Sequence, residues 1–407
     1  MECYDILIVG GGLVGASLAC AVSRLPLKVA VVEAIPFADF RQKSYDTRAI
    51  ALSYGSRRIF EGLGIWSSLM DKATPIHSVH TSQRGHFGVT RLVAKDYQVP
   101  ALGYVVEARA LGAILSEDLA QHSLVTLHCP AVLDGIQLGH DYAQVTLTDG
   151  RCLQGRLVIA ADGGRSRVRE QLAISSQRRD YGQTAVIATL TSSLPHRNVA
   201  YERFTDTGPM AILPLAAGRC AIVWTLPTSQ APQVLAMTDD AFLAAFQQGF
   251  GNRLGILGQV SPRHAYPLVL QRAEEVIRPR LALAGNALHA VHPIAGQGFN
   301  LGLRDVAALG EVLWNSVHRQ QDPGDPAVLS QYLAWRQTDL DRTVAWTDGL
   351  VRLFSNTTPV LNIARSIGLT ALDWLPPLKS WLAREAMGIT GKQPRLSLGL
   401  PLAPLVS

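Results

Sequence analysis

The sequence contains no Cys-x-x-Cys pair. Its five cysteines (Cys3, Cys20, Cys129, Cys152 and Cys220) are odd in number and scattered. That spacing gives no disulfide framework and fits a reducing compartment. No run of about 18 uninterrupted apolar residues occurs, so no segment is expected to span a bilayer. Basic residues and aromatics nowhere interleave in a stripe, which argues against nucleic acid as a partner. A Gly-x-Ser-x-Gly elbow is missing, and with it the mark of a serine hydrolase. Internal repeats and low-complexity tracts are missing too. The opening apolar segment already carries Asp5 and is cut short by glycines, so no signal peptide is expected.

What is present describes a globular chain. At 407 residues, with 48% hydrophobic and 17% charged residues, it has the material for two or three domains with a large core. The net charge of +5 is unevenly placed. From Val351 to Ser407 stand Arg352, Arg365, Lys379, Arg384, Lys392 and Arg395 against only Asp373 and Glu385. Such a tail either leans on an anionic membrane surface, at about 1 kcal/mol per basic residue near it, or forms an ordinary solvated helical face.

The most informative stretch is Gly10-Gly11-Gly12-Leu13-Val14-Gly15. The run Tyr4 to Val9 before it has the character of a buried strand, and Ala16 to Val22 after it reads as a buried helix. A second apolar run, Val29 to Val32, ends at Glu33. Strand, glycine turn, helix, strand and acid follow in the order a dinucleotide site requires. Gly10 permits the turn, Gly12 lets backbone approach a pyrophosphate, and Gly15 lets helix and strand pack closely. The helix start offers free N–H groups and partial positive charge to the phosphates. Glu33 is placed to accept ribose hydroxyls. A ligand-free βα turn is the plain alternative.

Further along, Arg48 stands before a helical stretch, Ser53 to Leu63, where a guanidinium can grip a phosphate or simply lie at the surface. Ile76 to Tyr104 alternates as strands do, and Glu107 to Leu115 reads as a helix. Val125–His128, Gln144–Leu147 and the turn Asp149-Gly150 resemble a β-meander leading into the buried strand Leu157–Ala161. Tyr181 to Leu270 is β-rich, with one helix near Asp239 to Phe250. A strand at Leu281–Ala284 precedes long helices from about Gly298 to Val317 and from Pro326 to about Phe354.

Two more clusters carry chemistry. Asp162-Gly163-Gly164 ends a strand. Gly285-Asn286 ends another and leads through His289, His292, Pro293, Gly296, Gln297, Gly298 and Asn300 into a helix. In an open α/β sheet a ligand lies at such strand ends. Gly296 and Gly298 let N–H groups approach a flat ring, and the helix aims its positive end at it, worth about 0.3–1 kcal/mol. His289 and His292 lie three apart with Asp305 beyond, but the segment is a loop and offers no third ligand at a fitting spacing, so no metal is expected.

Together these motifs resemble the FAD-dependent aromatic hydroxylases of the p-hydroxybenzoate hydroxylase type, and within them the ubiquinone-biosynthesis hydroxylases. The resemblance runs from Tyr4 to about Leu372. It includes Asp46-Thr47-Arg48-Ala49-Ile50-Ala51-Leu52, Glu202-Arg203-Phe204, Gly208-Pro209, Leu213-Pro214-Leu215, Tyr266-Pro267-Leu268 and His292 to Gly302. It implies an α/β fold: a Rossmann-like FAD-binding domain, an inserted β-sheet substrate domain and C-terminal helices. The expected division is residues 1–75, 105–180 and 271–345 for the FAD-binding domain, 76–104 and 181–270 for the substrate domain, and 346–407 for a helical tail.

By the same resemblance Gly10, Gly12, Gly15 and Glu33 hold the ADP half of FAD, and Arg48 and Arg109 meet the cofactor. Asp162 and Gly163 serve both FAD and NAD(P)H, and Pro293, Gly296, Gln297, Gly298 and Asn300 line the ring system. Asn286 stands where most of the class has an aspartate on the ribityl chain; the amide keeps the hydrogen bonds and loses the charge. The implied reaction uses NAD(P)H and O2 to hydroxylate a polyprenylated phenol, the cofactor supplying the difficult chemistry. Tyr266 and His264 are catalytic candidates, with ordinary strand residues as the alternative.

A substrate of this kind lives in the bilayer. Val360, Ile363, Ala364, Ile367, Ala371 and Leu375 share a helical stripe, followed by Pro376-Pro377 and Trp381. The stripe is either an interfacial anchor or a face packed on its own domain. The expected setting is cytoplasmic, peripheral on the inner membrane face, with membership of a biosynthetic complex open. Rival readings are a prenyl reductase of the same fold and a non-catalytic prenyl-lipid assembly subunit. A flavin halogenase lacks support because no Trp-x-Trp-x-Ile-Pro motif occurs.

Overall fold

Strand Glu2–Val9 forms because its apolar run can be buried on both faces, as the middle of a parallel sheet demands. The computed structural model places it there; the structure describes residues 2–36, 48–86, 88–291, 296–355 and 375–402, with backbone alone for 344, 346–348 and 350–355. Five strands run parallel in the order Leu281–Leu283, Cys152–Ala160, Glu2–Val9, Val29–Val32, Val125–His128. Ile8 lies beside both Val31 and Ile159, and Val9 beside Ala160. The strand ends therefore rise together beneath the glycine loop.

The meander differs from the sequence expectation. Val125–His128 is the parallel edge strand beside Val29–Val32, not part of the antiparallel run. The meander is Leu133–Leu138, Ala143–Leu147 and the first half of Cys152–Ala160. That strand divides one edge: Cys152 to Gly155 pair with the meander, and Val158 to Ala160 pair with Leu281–Leu283. Alternation in Val125–His128 looks the same in either setting, so periodicity could not tell them apart.

A nine-stranded sheet is built on Ser176–Ser192, a strand of 17 residues. Its first half is largely exposed and pairs only with His264–Ala273; its second half is buried among Arg219–Pro227 and its neighbours. The pairing shifts between Asp180 and Gln183, where Gly182 takes a positive φ and its N–H donates to Asp180 Oδ1 at 2.8 Å. Gly208–Pro214, Val199–Thr205, Ser78–Gln83 and Val89–Val93 extend the sheet in that order beyond Arg219–Pro227, while Leu257–Val260 pairs with Ser176–Ser192 and His289–Ala290 with His264–Ala273.

Helix Asp239–Phe250 covers one face. Thr238 caps it by accepting from Ala241 N–H, and Asp239 and Asp240 suit its positive end. Phe242, Phe246 and Phe250, four apart, stack in sequence, and Phe242 and Phe246 meet Trp224 edge-on. The opposite face meets a small three-stranded sheet, Ala49–Ser53, Gly103–Glu107 and Thr74–Ile76. Ile76 and Val105 pack there against Ala200, Leu215 and Ala221, and Arg219 donates to Glu107 at 2.8 Å.

Helix Gln297–His318 packs along helix Leu13–Val22 and carries helix Pro326–Ser355 on its far side. Helix Pro376–Ala386 follows, with two prolines at its start as the first turn allows. Among the described residues no helix is long and apolar enough to cross a membrane.

Candidate active site

Three segments far apart in sequence meet at the strand ends. Gly10 has φ +103°, and a Cβ there would lie 2.5 Å from Ala161 O. A Cβ on Gly15 would lie 1.9 Å from Gly10 O, so the loop closes on itself only with glycine at both positions. Val14 fills the space between the remaining segments: it lies 3.0 Å from where a Cβ on Gly285 would be, and 2.7 Å from one on Gly302. Nothing in the glycine pattern assigns Val14 this role, although a β-branched residue inside a glycine loop is a visible signal.

Gly12 behaves differently. It has an ordinary φ of −61°, and no protein atom lies within 4 Å of a Cβ built on it. A Cβ built on Gly163 or on Gly298 likewise meets nothing within 4 Å. Backbone left uncovered in this way lets a ligand approach closely. Asp162 adjoins the glycine loop, its Cα 2.7 Å from where a Cβ on Gly10 would be. Its Oδ2 accepts from Val168 N–H at 3.1 Å, while Oδ1 is buried without a partner. Burial raises the carboxyl above its usual range, against the lowering pull of bonds from Ser166 and Val168. An orphaned acceptor there suits a hydroxyl donor, such as those of a dinucleotide's sugar chains.

Glu33 is buried, and its carboxylate accepts from Gly11 N–H at 2.6 Å and Ile35 N–H at 2.8 Å. It therefore pins the glycine loop, with its remaining lone pairs for a ribose. Asn300 is spent on the protein. Its Oδ1 accepts from Ser53 N–H and Ser56 Oγ, and its Nδ2 donates to Ala51 O and Gly296 O, at 2.7–2.8 Å. Its side chain ties the loop to strand Ala49–Ser53. Gly296, at φ +64°, caps helix Gln297–His318 against Ala51. Gln297 is buried, and its amide reaches Ala386 O at 3.4 Å.

Asn286 is exposed on the turn Gly285–Ala287, whose first residue packs against Val14 of the glycine loop. Arg48 stacks its guanidinium on the Tyr266 ring, 5.5 Å from the centroid. Arg109 lies 3.7 Å from Glu107. His264, exposed, stands opposite Ile187 two residues before Tyr266. Pro293, His292 and the Asp46-Thr47 part of the earlier motif lie outside the described residues.

A buried charge network underlies the loop. Asp305 Oδ2 accepts from Gly285 N–H at 2.8 Å and lies 2.7 Å from His289 Nε2, and Oδ1 accepts from Arg336 Nε at 2.5 Å. Arg336 also pairs with Asp339, which holds Arg304 at 2.8 Å and Arg342 at 3.1 Å. Burial opposes ionisation of Asp305, but His289 and Arg336 hold its carboxyl below the usual range. Asp339, opposed by burial and favoured by Arg304 and Arg336, is held at about 2. His289 and Asp305 thus serve each other. Among the described residues no three metal-ligating side chains gather. Arg336 and Asp339 sit on a helix whose sequence offers no motif, and only packing reveals them.

Comparison with known proteins matches this geometry. A model of the FAD binding domain family covers residues 3–347. The chain is 39% identical over 401 residues to the ubiquinone hydroxylase UbiL of Rhodospirillum rubrum, spanning 98% of this chain and 93% of that one. It is 32% identical to 3-demethoxyubiquinol 3-hydroxylase of Escherichia coli, spanning 95% and 98%. Among solved structures, p-nitrophenol 4-monooxygenase PnpA from Pseudomonas putida shares the fold with a TM-score of 0.80 at 17% identity, over 97% of this chain and all of that one.

Proposed function

Because the chain belongs to the FAD binding domain family, we propose that it is an FAD-dependent monooxygenase that hydroxylates a polyprenylated phenol on the route to ubiquinone, using NAD(P)H and O2. The observation that carries this reading is the meeting of Gly10 and Gly15 with Ala161, and of Val14 with Gly285 and Gly302, around backbone left open at Gly12, Gly163 and Gly298.

Bound FAD, reduced by NAD(P)H, supplies the oxygen chemistry. The residues of the chain bind and orient. Free N–H groups at the start of helix Leu13–Val22 meet the pyrophosphate. Glu33 holds the loop in shape and receives the ribose. Asp162 Oδ1 gains the hydrogen bond it lacks. The start of helix Gln297–His318, with Gly298 open, takes the ring system. The face of the nine-stranded sheet that carries Tyr266 holds the phenol and keeps water away.

The motifs also resemble those of the 2-octaprenyl-6-methoxyphenol hydroxylases, which makes a methoxylated prenyl phenol the first substrate to try. The tail has a role in this reading. Leu375, Leu378 and Trp381 are 51%, 47% and 47% exposed beside Lys379, a mixture suited to a membrane surface that presents the substrate. The stripe from Val360 to Ala371 lies outside the described residues.

Two measurements test the function. Purified protein should be yellow and should form hydroxylated product from a prenyl phenol only with both NAD(P)H and O2. Deletion in the native host should cause an under-hydroxylated quinone precursor to accumulate, identified by mass spectrometry. A colourless protein that takes up no FAD defeats the reading.

A further inference from the structure

Strand Val199–Thr205 has two unlike faces. Ala200 packs between the sheets with Ile76, Val105 and Ala221, on the side of the cofactor loops. Tyr201 turns the other way, meeting Phe250 edge-on and tilting against His80, each at 5.7 Å. Alternation therefore turns Glu202 to the face of Ala200.

Register fixes its neighbours. Glu202 lies between Ala211 and Thr81; Ala211 lies beside Val223, Val223 beside Ile187, and Ile187 beside His264. Tyr266, with Arg48 on its ring, stands in the next row. The Arg219–Glu107 pair closes the same face at 2.8 Å. Glu202 thus stands in a row with Thr81, Ala211, Val223 and Ile187, with His264 at the far end and Tyr266 in the row beside it. Its carboxyl has no hydrogen bond or ion pair among the described residues, and Arg48, Arg219 and Glu107 all find partners elsewhere. Burial, with no charged group acting on it, pushes the carboxyl up to about 8.

A partly buried carboxyl without a partner is costly, and such groups persist where a ligand completes them. We propose that Glu202 contacts the substrate: its carboxyl hydrogen-bonds an oxygen substituent of the phenolic ring and so sets which ring carbon faces the cofactor loops. This deepens the monooxygenase reading and rests on it. In the protonated state that burial favours near neutral pH, the group both donates and accepts, and an amide of the same shape does likewise. No bond to the substrate forms or breaks in this contact. A site built to bond a substrate oxygen discriminates strongly against rings that lack it.

The test uses the full FAD-loaded chain and a short-chain methoxylated prenyl phenol. Binding is followed by the change in flavin absorbance from about pH 6.5 to about pH 9, below the ordinary phenol range. Wild-type affinity should fall as pH rises through about 8. Glu202→Gln should bind within about threefold of wild type at neutral pH and lose that pH dependence, whereas Glu202→Leu should bind at least about tenfold more weakly. In Glu202→Leu a smaller share of the NAD(P)H consumed should appear as hydroxylated product. FAD content and melting temperature are measured on all three proteins, and Glu202→Gln keeps the test decisive if the leucine variant misfolds.

The proposal is overturned if Glu202→Leu binds like wild type, if Glu202→Gln loses as much as Glu202→Leu, or if the wild type binds no phenol. Phenol binding with the expected pattern but no oxygen insertion would instead defeat the monooxygenase reading and leave the Glu202 contact standing.

Discussion

The guanidinium of Arg48 lies over the ring of Tyr266, 5.5 Å from its centroid, although 217 residues separate them in the chain. Arg48 precedes the strand that Asn300 ties to the cofactor loop, and Tyr266 belongs to the facing sheet. The contact therefore joins the two walls of the site. A cation–π pair of this kind is worth about 0.5–2 kcal/mol. Tyr266→Phe should keep it and bind phenol and FAD nearly as wild type, while Tyr266→Ala should weaken binding. Equal loss in both variants would show that the hydroxyl, rather than the ring, is what matters; titration of FAD and of phenol decides.

Two glycines separate folding from cofactor binding. Gly15→Ala places a methyl 1.9 Å from Gly10 O, so backbone must move. The apo protein should lose on the order of 3 kcal/mol, read as a lower melting temperature. Gly12→Ala meets no protein atom within 4 Å and has a permitted φ. It should melt like wild type without cofactor, yet retain far less FAD after gel filtration. A Gly12→Ala protein with full FAD content would show that the open space is not where the cofactor approaches.

Asp162 carries a carboxyl raised by burial and an unpartnered oxygen. A raised folded pKa favours the fold below the unfolded value and withdraws stability as pH rises through the folded value. At neutral pH the ionised group is therefore a burden on the apo protein. Asp162→Asn should raise the apo melting temperature slightly at neutral pH while weakening FAD binding. Stability unchanged from pH 4 to neutral in wild type, relative to Asp162→Asn, would contradict it.

The Asp305–Arg336–Asp339 network makes the opposite linkage. Asp339 sits at about 2 in the folded protein, below the ordinary carboxylate value. Its stabilisation is present above the unfolded value near 4 and is lost as pH falls from there toward about 2, roughly 2 kcal/mol in all. Circular dichroism of wild type and Asp339→Asn should converge across that window. Asp305→Ala removes one of the two carboxylates that the buried Arg336 pairs with and should cost about 3 kcal/mol. It should also loosen the Gly285 turn, whose N–H donates to Asp305.

The exposed end of helix Pro376–Ala386 makes a separate prediction. Replacing Leu378 and Trp381 together with serine should leave FAD content and turnover of a short-chain phenol unchanged, because neither side chain lies among the site residues. Sedimentation with anionic vesicles should fall. Equal sedimentation would mean that the membrane is met elsewhere.

Much of this protein is written in local pattern. The glycine loop, its flanking strands and Glu33 are consecutive features of one βα unit, and helix Asp239–Phe250 follows from its cap and its aromatic spacing. Backbone geometry near a glycine depends on a few adjacent residues, so such elements can be read directly. What lies between elements cannot. Whether Val125–His128 joins a meander or a parallel edge depends on which strand edge is free, and that is settled by the whole sheet. Asn300 carries the expected motif, but only packing shows its amide used up on Ser53, Ser56, Ala51 and Gly296. The seating of Val14 between Gly285 and Gly302, the stacking of Arg48 on Tyr266 and the lone carboxyl of Glu202 all join residues hundreds of positions apart or set one against a foreign layer. Local chemistry determined what each loop could hold; only the tertiary fold decided which loops would share one space, because burial and register are properties of the assembled layers rather than of any stretch of chain.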